Sequence, residues 1–379
     1  MSRIKSLLLV CAALSAVCAP LVSATVTYQV GGCLGSSVIN FSTISAALAD
    51  TRPPDVVKVC AGTHPEQLFI SNPVTLEGVS DGNAGQAIIT APPGGLAQCL
   101  GSQNIVMQVC VSSTGIVNIT NIVVDGDGIN GSGVIGIYYA DTSGTLDHVE
   151  TRFQRGGAGV GIYLAESANT VTVENSNVHS FNSYGIEASD DSNSGAEMTV
   201  KIEANTVAPD PTAIGGILSW GGASVTISDN IVLGPTKPIS ADYCDVEEDG
   251  CFGISVAVPS AGSVSGNTVV DVGSYAAGIQ LLPCPCGAPT TLSVTANTIF
   301  DAGGDAIQLS TINGPPPPLK IEGNIISQAL NGIDFGCTID NNVSSNTISA
   351  IHSFALANVP PGVTTSNKYY DVYALSSGC

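Results

Sequence analysis

Apolar and polar positions along this chain alternate in a pattern that repeats. A short strand opened by Gly-Ile recurs as "IGIYYA", "VGIYLA", "YGIEAS", "GGILSW", "FGISVA", "AGIQLL" and "NGIDFG", with "DAIQLS" as a variant. Its glycine falls at 136, 161, 185, 216, 253, 278 and 332, with Ala306 in the same slot; 196 residues over seven intervals give a mean period of 28. A second motif, V-x-I-x-x-N-x-I, runs out of phase with the first, as in "VKIEANTV", "VTISDNIV", "LSVTANTI" and "LKIEGNII". Its Asn stands at 205, 230, 267, 297, 324 and 346, and Ser176 takes the slot in "VTVENSNV". Alternating β-branched residues predict at least two strands per repeat. Three strands of about five residues with their turns fill roughly 24–28 residues, one coil of a parallel β-helix. The expected fold is therefore all-β, a solenoid of roughly eleven coils. Inward Val and Ile stack coil on coil, and the recurring Asn is expected at a turn, with left-handed backbone angles and bonds to the Asn of the next coil. Leucine-rich repeats share the period and an asparagine ladder, but they require leucines where this chain has Ile and Val. Trp220 is the only Trp, which argues against a propeller of the Trp-Asp type.

The ends of such a stack need covering. "FSTISAALAD", Phe41 to Asp50, predicts a capping helix with Ile44, Ala47 and Leu48 on one face. Residues 352–379, with "SNKYYDVYALSSGC", are expected to form a C-terminal cap.

Arg3 and Lys5, the apolar run Leu7 to Val17 and the small residues Val22-Ser23-Ala24 read as a signal peptide over residues 1–24, leaving one β-helix domain over 25–379. The run is too short to span a bilayer, and Cys11 and Cys18 follow Val, a poor match to lipoprotein cleavage boxes. The expectation is a secreted protein, extracellular or periplasmic, with no membrane span, and a monomer. Without Cys11 and Cys18, ten of the 12 cysteines remain, an even number that suggests disulfides in an exported chain. Near pairs are Cys33–Cys60, Cys99–Cys110 and Cys244–Cys251; Cys284, Cys286, Cys337 and Cys379 stay open, with Cys337–Cys379 one pairing for the far end. Once Arg3 and Lys5 are set aside, 8 basic residues face 31 acidic ones, which argues against nucleic acid, anionic membranes and, unless cations bridge, polyanionic substrates.

"FSTISAALAD...DVVKVCAGTHPEQLFISNPVTLEG", Phe41 to Gly78, resembles the opening of the pectate lyase-like superfamily of right-handed parallel β-helix proteins, and the coil pattern carries the likeness to about Ile351. The resemblance implies a single-stranded right-handed parallel β-helix and a polysaccharide or cell-surface glycan as partner. That fold hosts lyases, hydrolases, esterases, epimerases and non-catalytic binders, so the activity must be argued from the site.

By simple alternation the residue after each recurrent Ile points outward, giving the column Tyr138, Tyr163, Glu187, Leu218, Ser255, Gln280, Gln308, Asp334 at a spacing of about 4.8 Å, with Trp220 two residues beyond Leu218. Flat rings and hydrogen-bonding side chains along a groove suit sugar rings; ordinary solvent-facing decoration is the plain alternative. Tyr138, Tyr163, Glu187, Trp220, Gln280 and Gln308 are the candidate substrate contacts. Asp305 and Asp334 are expected as diagonal neighbours able to act as a carboxylate pair, with Asp301 close by in sequence. The Gly-His-Gly and Arg-Ile-Lys elements of polygalacturonases, which share a "GIDI"-like strand, are missing. His148 and Arg152 of "LDHVETRF" offer a base and a cation for a lyase. "VVDGDG" and "ASDDSNSG" carry oxygen donors for calcium, the one cofactor considered, without the EF-hand spacing. Gly62-Thr63-His64-Pro65-Glu66 is similar to a pectin methylesterase element found across β-helices, so His64 and Glu66 are expected to be structural. Two functions remain in view: binding, with polysaccharide lyase or glycoside hydrolase chemistry as its catalytic form, and a non-catalytic adhesion or structural repeat protein.

Overall fold

The computed structural model describes residues 24–379 apart from 81–84, 100–104, 130–132, 157, 166–169, 191–197, 237–250, 258–260, 275, 283–291, 311–318, 337–340 and 362–364. Residues 1–23 of the expected signal peptide, Cys244, Cys284, Cys286 and Cys337 lie outside the described residues.

Every strand pairing between named strands is parallel, and each strand bonds mainly to those one period away, so the chain winds as a β-helix with three faces. The first face holds the Gly-Ile strands, from Leu68–Ile70 through Val134–Ala140, Val160–Ala165, Tyr184–Asp190, Gly215–Gly221, Phe252–Ala257 and Ala277–Leu282. The second holds the strands that precede each ladder Asn, such as Thr199–Glu203, Ser224–Ser228, Ala261–Ser265 and Leu292–Thr295. The third holds the short strands after it, such as Glu150–Arg152 and Asn177–His179. Ile137, Ile162, Ile186, Ile217, Ile254, Ile279, Ile307 and Ile333 stand in register on consecutive coils and have no exposed surface, which bears out the interior row read from the sequence.

The glycine before each Ile has a steric reason. At Gly253 a Cβ would meet Val269 Cγ1 of the third face at 2.5 Å and the carbonyl oxygen of Gly278 at 2.7 Å. The chain crosses the corner of the stack there with room for hydrogen only. Gly253→Ala is expected to cost about 1–3 kcal/mol by overpacking, measured as a drop in the urea midpoint with an unchanged slope; a neutral result would show that the corner yields.

The asparagine ladder forms, in a different way from that expected. Asn205, Asn230, Asn267, Asn297, Asn324 and Asn346 are buried, and each Oδ1 accepts the backbone N–H and side-chain amide of the preceding ladder residue wherever that residue is Asn. The left-handed residue is the one before: Asn175 (φ 51°), Ala204 (φ 57°), Asp229 (φ 57°), Ala296 (φ 56°) and Ser345 (φ 60°). The Asn sits one step past the bend so that its amide lies inside the stack.

Helix Ile44–Asp50 is shorter than Phe41–Asp50 because Phe41 ends a strand and Thr43 caps the helix. Ile44, Ala47 and Leu48 are buried as expected. Glu66 binds the Ile44 and Ser45 N–H groups at 2.8 and 2.9 Å, and the His64 ring lies 2.9 Å from the Cys60 carbonyl. Both residues of that element therefore have structural partners. Cys33–Cys60 and Cys99–Cys110 are disulfides, and Cys251 and Cys379 are disulfide-bonded as well. Residues 352–379 are placed largely in strands Asn341–Val359 and Thr365–Gly378, which pair in parallel as further coils.

Candidate functional site

On the first face the chain bends at each glycine, so the residues two before and one after the Ile share the outer side. The column after the Ile is continuous, Tyr138 to Tyr163, Glu187, Leu218, Ser255, Gln280, Gln308 and Asp334 pairing coil by coil. It does not face solvent along its whole length. Leu218, Ser255 and Gln280 are buried, so the expectation of an open column is corrected there. Ser255 Oγ donates to Gln280 Oε1 at 3.0 Å, and Gln280 Nε2 donates to Gln308 Oε1 at 3.1 Å, so Gln280 is held in a chain of side-chain bonds. Tyr138 and Tyr163, 5.4 Å apart between ring centroids, are half-buried against an apolar cluster built on Cys99, Met107, Cys110, Ile135 and Val160.

The column two residues before the Ile supplies aromatic groups that the sequence reading missed, although "YGIEAS" and "FGISVA" carry them. Tyr184 and Phe252 stack with centroids 6.0 Å apart and planes 12° apart. They reach across Gly215, where a Cβ would stand 2.2 Å from the Phe252 ring. Trp220, 38% exposed, lines the same small depression with Tyr184, Phe252, Ser255 and Gln280.

Farther along, Asp305 pairs in register with Asn331, and Gln308 with Asp334. This diagonal sets the Asp334 carboxyl near enough to Asp305 to act on its protonation. Burial pushes Asp305 up to about 6; the Asn331 amide, 2.9 Å away, opposes that rise, and the Asp334 charge adds to it. Asp334 accepts from Asn358 Nδ2 at 2.9 and 3.1 Å and from the Gly336 N–H at 2.9 Å. Asn331 and Asn358 were not among the sequence candidates; Asn331 occupies the same slot as Tyr184 and Phe252. Asp301 is exposed in a left-handed turn (φ 59°).

The model of the right-handed β-helix region matches residues 136–348, more than half of the chain. The chain belongs to the right-handed β-helix family. No curated protein sequence matches it. Among solved structures this β-helix is similar to the Agl-KA catalytic domain, with a TM-score of 0.61 at 12% identity over 88% of this chain and 62% of that one. It is similar to the GH136 lacto-N-biosidase from Eubacterium ramulus, with a TM-score of 0.60 at 11% identity over 94% of this chain and 68% of the other. The alginate lyase from Paenibacillus sp. str. FPU-7 gives 0.50 at 14% identity over 87% and 95%. These likenesses establish the fold alone, and the chain spans less than two thirds of the Agl-KA catalytic domain.

His148 and Arg152 each have carboxylate partners of their own. His148 stands in a left-handed turn (φ 52°) with Nδ1 2.6 Å from Asp147. Arg152, on the third face, bridges Asp125 at 2.8 Å and Glu150 at 2.8 Å, and His179 Nε2 lies 3.3 Å from Glu150. Hydrogen bonds from His179 and Arg152 hold Glu150 below its ordinary pKa against the effect of burial. Two carboxylates already engage this guanidinium. The same ion pair occupies Asp125 of "VVDGDG", and Asp190 of "ASDDSNSG" accepts the Met198 N–H at 3.1 Å. No group of three or more His, Cys, Asp or Glu that could hold a metal occurs among the described residues. No helix among them is long and apolar enough to cross a membrane.

Proposed function

We infer that this β-helix protein is exported and binds polysaccharide along its first face. The observation that carries the reading is the half-exposed Trp220 beside the stacked Tyr184–Phe252 pair, set in register with a polar column that ends at the Asp305–Asp334 carboxyls. Aromatic rings supply flat apolar platforms for the C–H faces of sugars, and the partly exposed Glu187, Gln308 and Asp334 of the column present hydrogen-bonding partners to a polymer. Two proteins of similar fold, a lacto-N-biosidase and an alginate lyase, support a glycan as the ligand class. Trp220→Ala is expected to weaken binding about tenfold or more, read as lost retardation in native gels cast with pectate, alginate or neutral glucans. Equal mobility of variant and wild type on every polysaccharide that retards the wild type would remove this surface from consideration.

A second reading, turnover at the carboxyl pair, is favoured by the proton that Asp305 keeps up to about pH 6. A carboxyl that keeps its proton in this range can serve as a general acid. The two carboxyls sit on adjacent coils, each already bonded to an asparagine amide, so binding is the reading the geometry supports best. Release of reducing or unsaturated ends by the wild type and its abolition in Asp305→Asn would establish turnover; no product on the same polysaccharides leaves a binder.

A further inference from the structure

The second face carries a groove that the first-face reading does not use. It has a volume of about 600 Å³, within the ~300–1,000 Å³ typical of small-molecule sites. Thr226, Ser263, Ser293, Lys320 and Asn342 line it as consecutive members of one register column. Successive side chains thus stand about 4.8 Å apart. Four consecutive coils present a hydroxyl, a hydroxyl, a hydroxyl and an ammonium, and the fifth presents an amide. Leu292 and Leu319 form its floor from the core side, with almost no exposed surface of their own.

We propose that this groove is a second saccharide site, taking a neutral oligosaccharide whose chain runs along the stack axis. Hydroxyl side chains donate and accept at once, which matches the mixed donors and acceptors of sugar hydroxyls. The electrostatics select a neutral ligand. Lys320 is the one charged residue among the described lining, and its Nζ is already 2.5 Å from Glu322. The whole chain carries a formal net charge of −21, which repels polyanions. The groove lies on a different face from Trp220 and Asp305, so this inference stands or falls independently of the first.

The test is calorimetric titration of the full chain with cellohexaose, laminarihexaose, maltohexaose and xylohexaose, and with hexagalacturonate as the anionic probe. At least one neutral hexasaccharide is expected to bind. Ser263→Tyr, which fills the groove from an outward position, is expected to weaken that binding about tenfold or more. Ser293→Tyr repeats the block one coil away, and Ser263→Ala, which removes a single hydroxyl and leaves the backbone undisturbed, is expected to weaken binding about threefold. Circular dichroism confirms the fold of each variant. Asn177→Ala, at an exposed position on the third face, is expected to leave this affinity unchanged. Failure of every neutral probe, tighter binding of hexagalacturonate, or wild-type affinity in the folded serine variants overturns the second site. Loss in Trp220→Ala with none in the serine variants overturns it too, by assigning the binding to the first face. Loss confined to the serine variants upholds the groove even if the first-face reading fails.

Discussion

Asn267→Ala is expected to destabilise the protein by about 3–5 kcal/mol, because it opens a gap in the ladder that leaves several buried groups without partners. Asn267 Oδ1 accepts from the Asn230 backbone N–H at 3.0 Å and from Asn230 Nδ2 at 2.9 Å. Its own Nδ2 donates to the Ile227 carbonyl and to Asn297 Oδ1, both at 2.9 Å. The residue is 1% exposed, so water cannot replace these bonds in the folded state, and each orphaned donor or acceptor costs about 1–3 kcal/mol. Asn177→Ala, at an exposed position on the third face three coils away, is the control and is expected to fall within about 0.5 kcal/mol of the parent. Urea unfolding followed by circular dichroism and by Trp220 fluorescence makes the comparison. The two probes also test whether the solenoid melts as one unit, since repeat stacks couple only through neighbours. A loss below about 1 kcal/mol at Asn267 would mean that the ladder is decoration on a stack held by Ile and Val alone.

The stack was legible in the sequence because its core tolerates so little variation. The Ile of each coil meets the Ile above and below it, so the period shows directly in the residues, and the glycine repeats with it for want of space at the corner. The left-handed position escaped notice because residue type there is loosely constrained: Asn175, Ala204, Asp229 and Ser345 all occupy it. Alternation shows which residues point outward but not what lies over them. Ser255 and Gln280 are outward by periodicity and yet buried, since burial depends on how much of the neighbouring chain covers that part of the face. The aromatic slot was written in the motif two positions ahead of the Ile. It was missed because strict alternation places that residue inside, whereas the bend at the glycine turns it out. Asp305 and Asp334 could be brought together on paper because both motifs share one period. The side chains that hold them, Asn331 and Asn358, come from contacts between coils that spacing alone does not single out.

Asp305→Asn is expected to stabilise the protein at pH 7 by about 2–3 kcal/mol and to flatten its stability between about pH 4 and pH 6. A carboxyl raised from 3.8 to about 6 in the folded chain binds its proton more tightly there than in the unfolded chain. Its favourable contribution is complete below about pH 4 and is lost as the pH climbs through about 6. A shift of about two units corresponds to about 3 kcal/mol, an upper figure because the site is half-buried rather than sealed. Asparagine is neutral and nearly isosteric, so it removes both the desolvation of the charge and its repulsion from Asp334, and its amide can donate to the Asp334 carboxylate. Thermal melts of parent and variant from pH 3.5 to 8 would show curves that meet at low pH and separate as the pH rises. Parallel curves would mean that Asp305 titrates at its ordinary pKa and that the two carboxyls do not share a proton. A stabilised variant that has also lost polysaccharide binding or turnover would identify the pair as a functional site held at the expense of stability. A stabilised variant with unchanged binding and turnover would leave the carboxyls as a coil-to-coil contact and move the working part of the first face to Trp220 and its stacked neighbours.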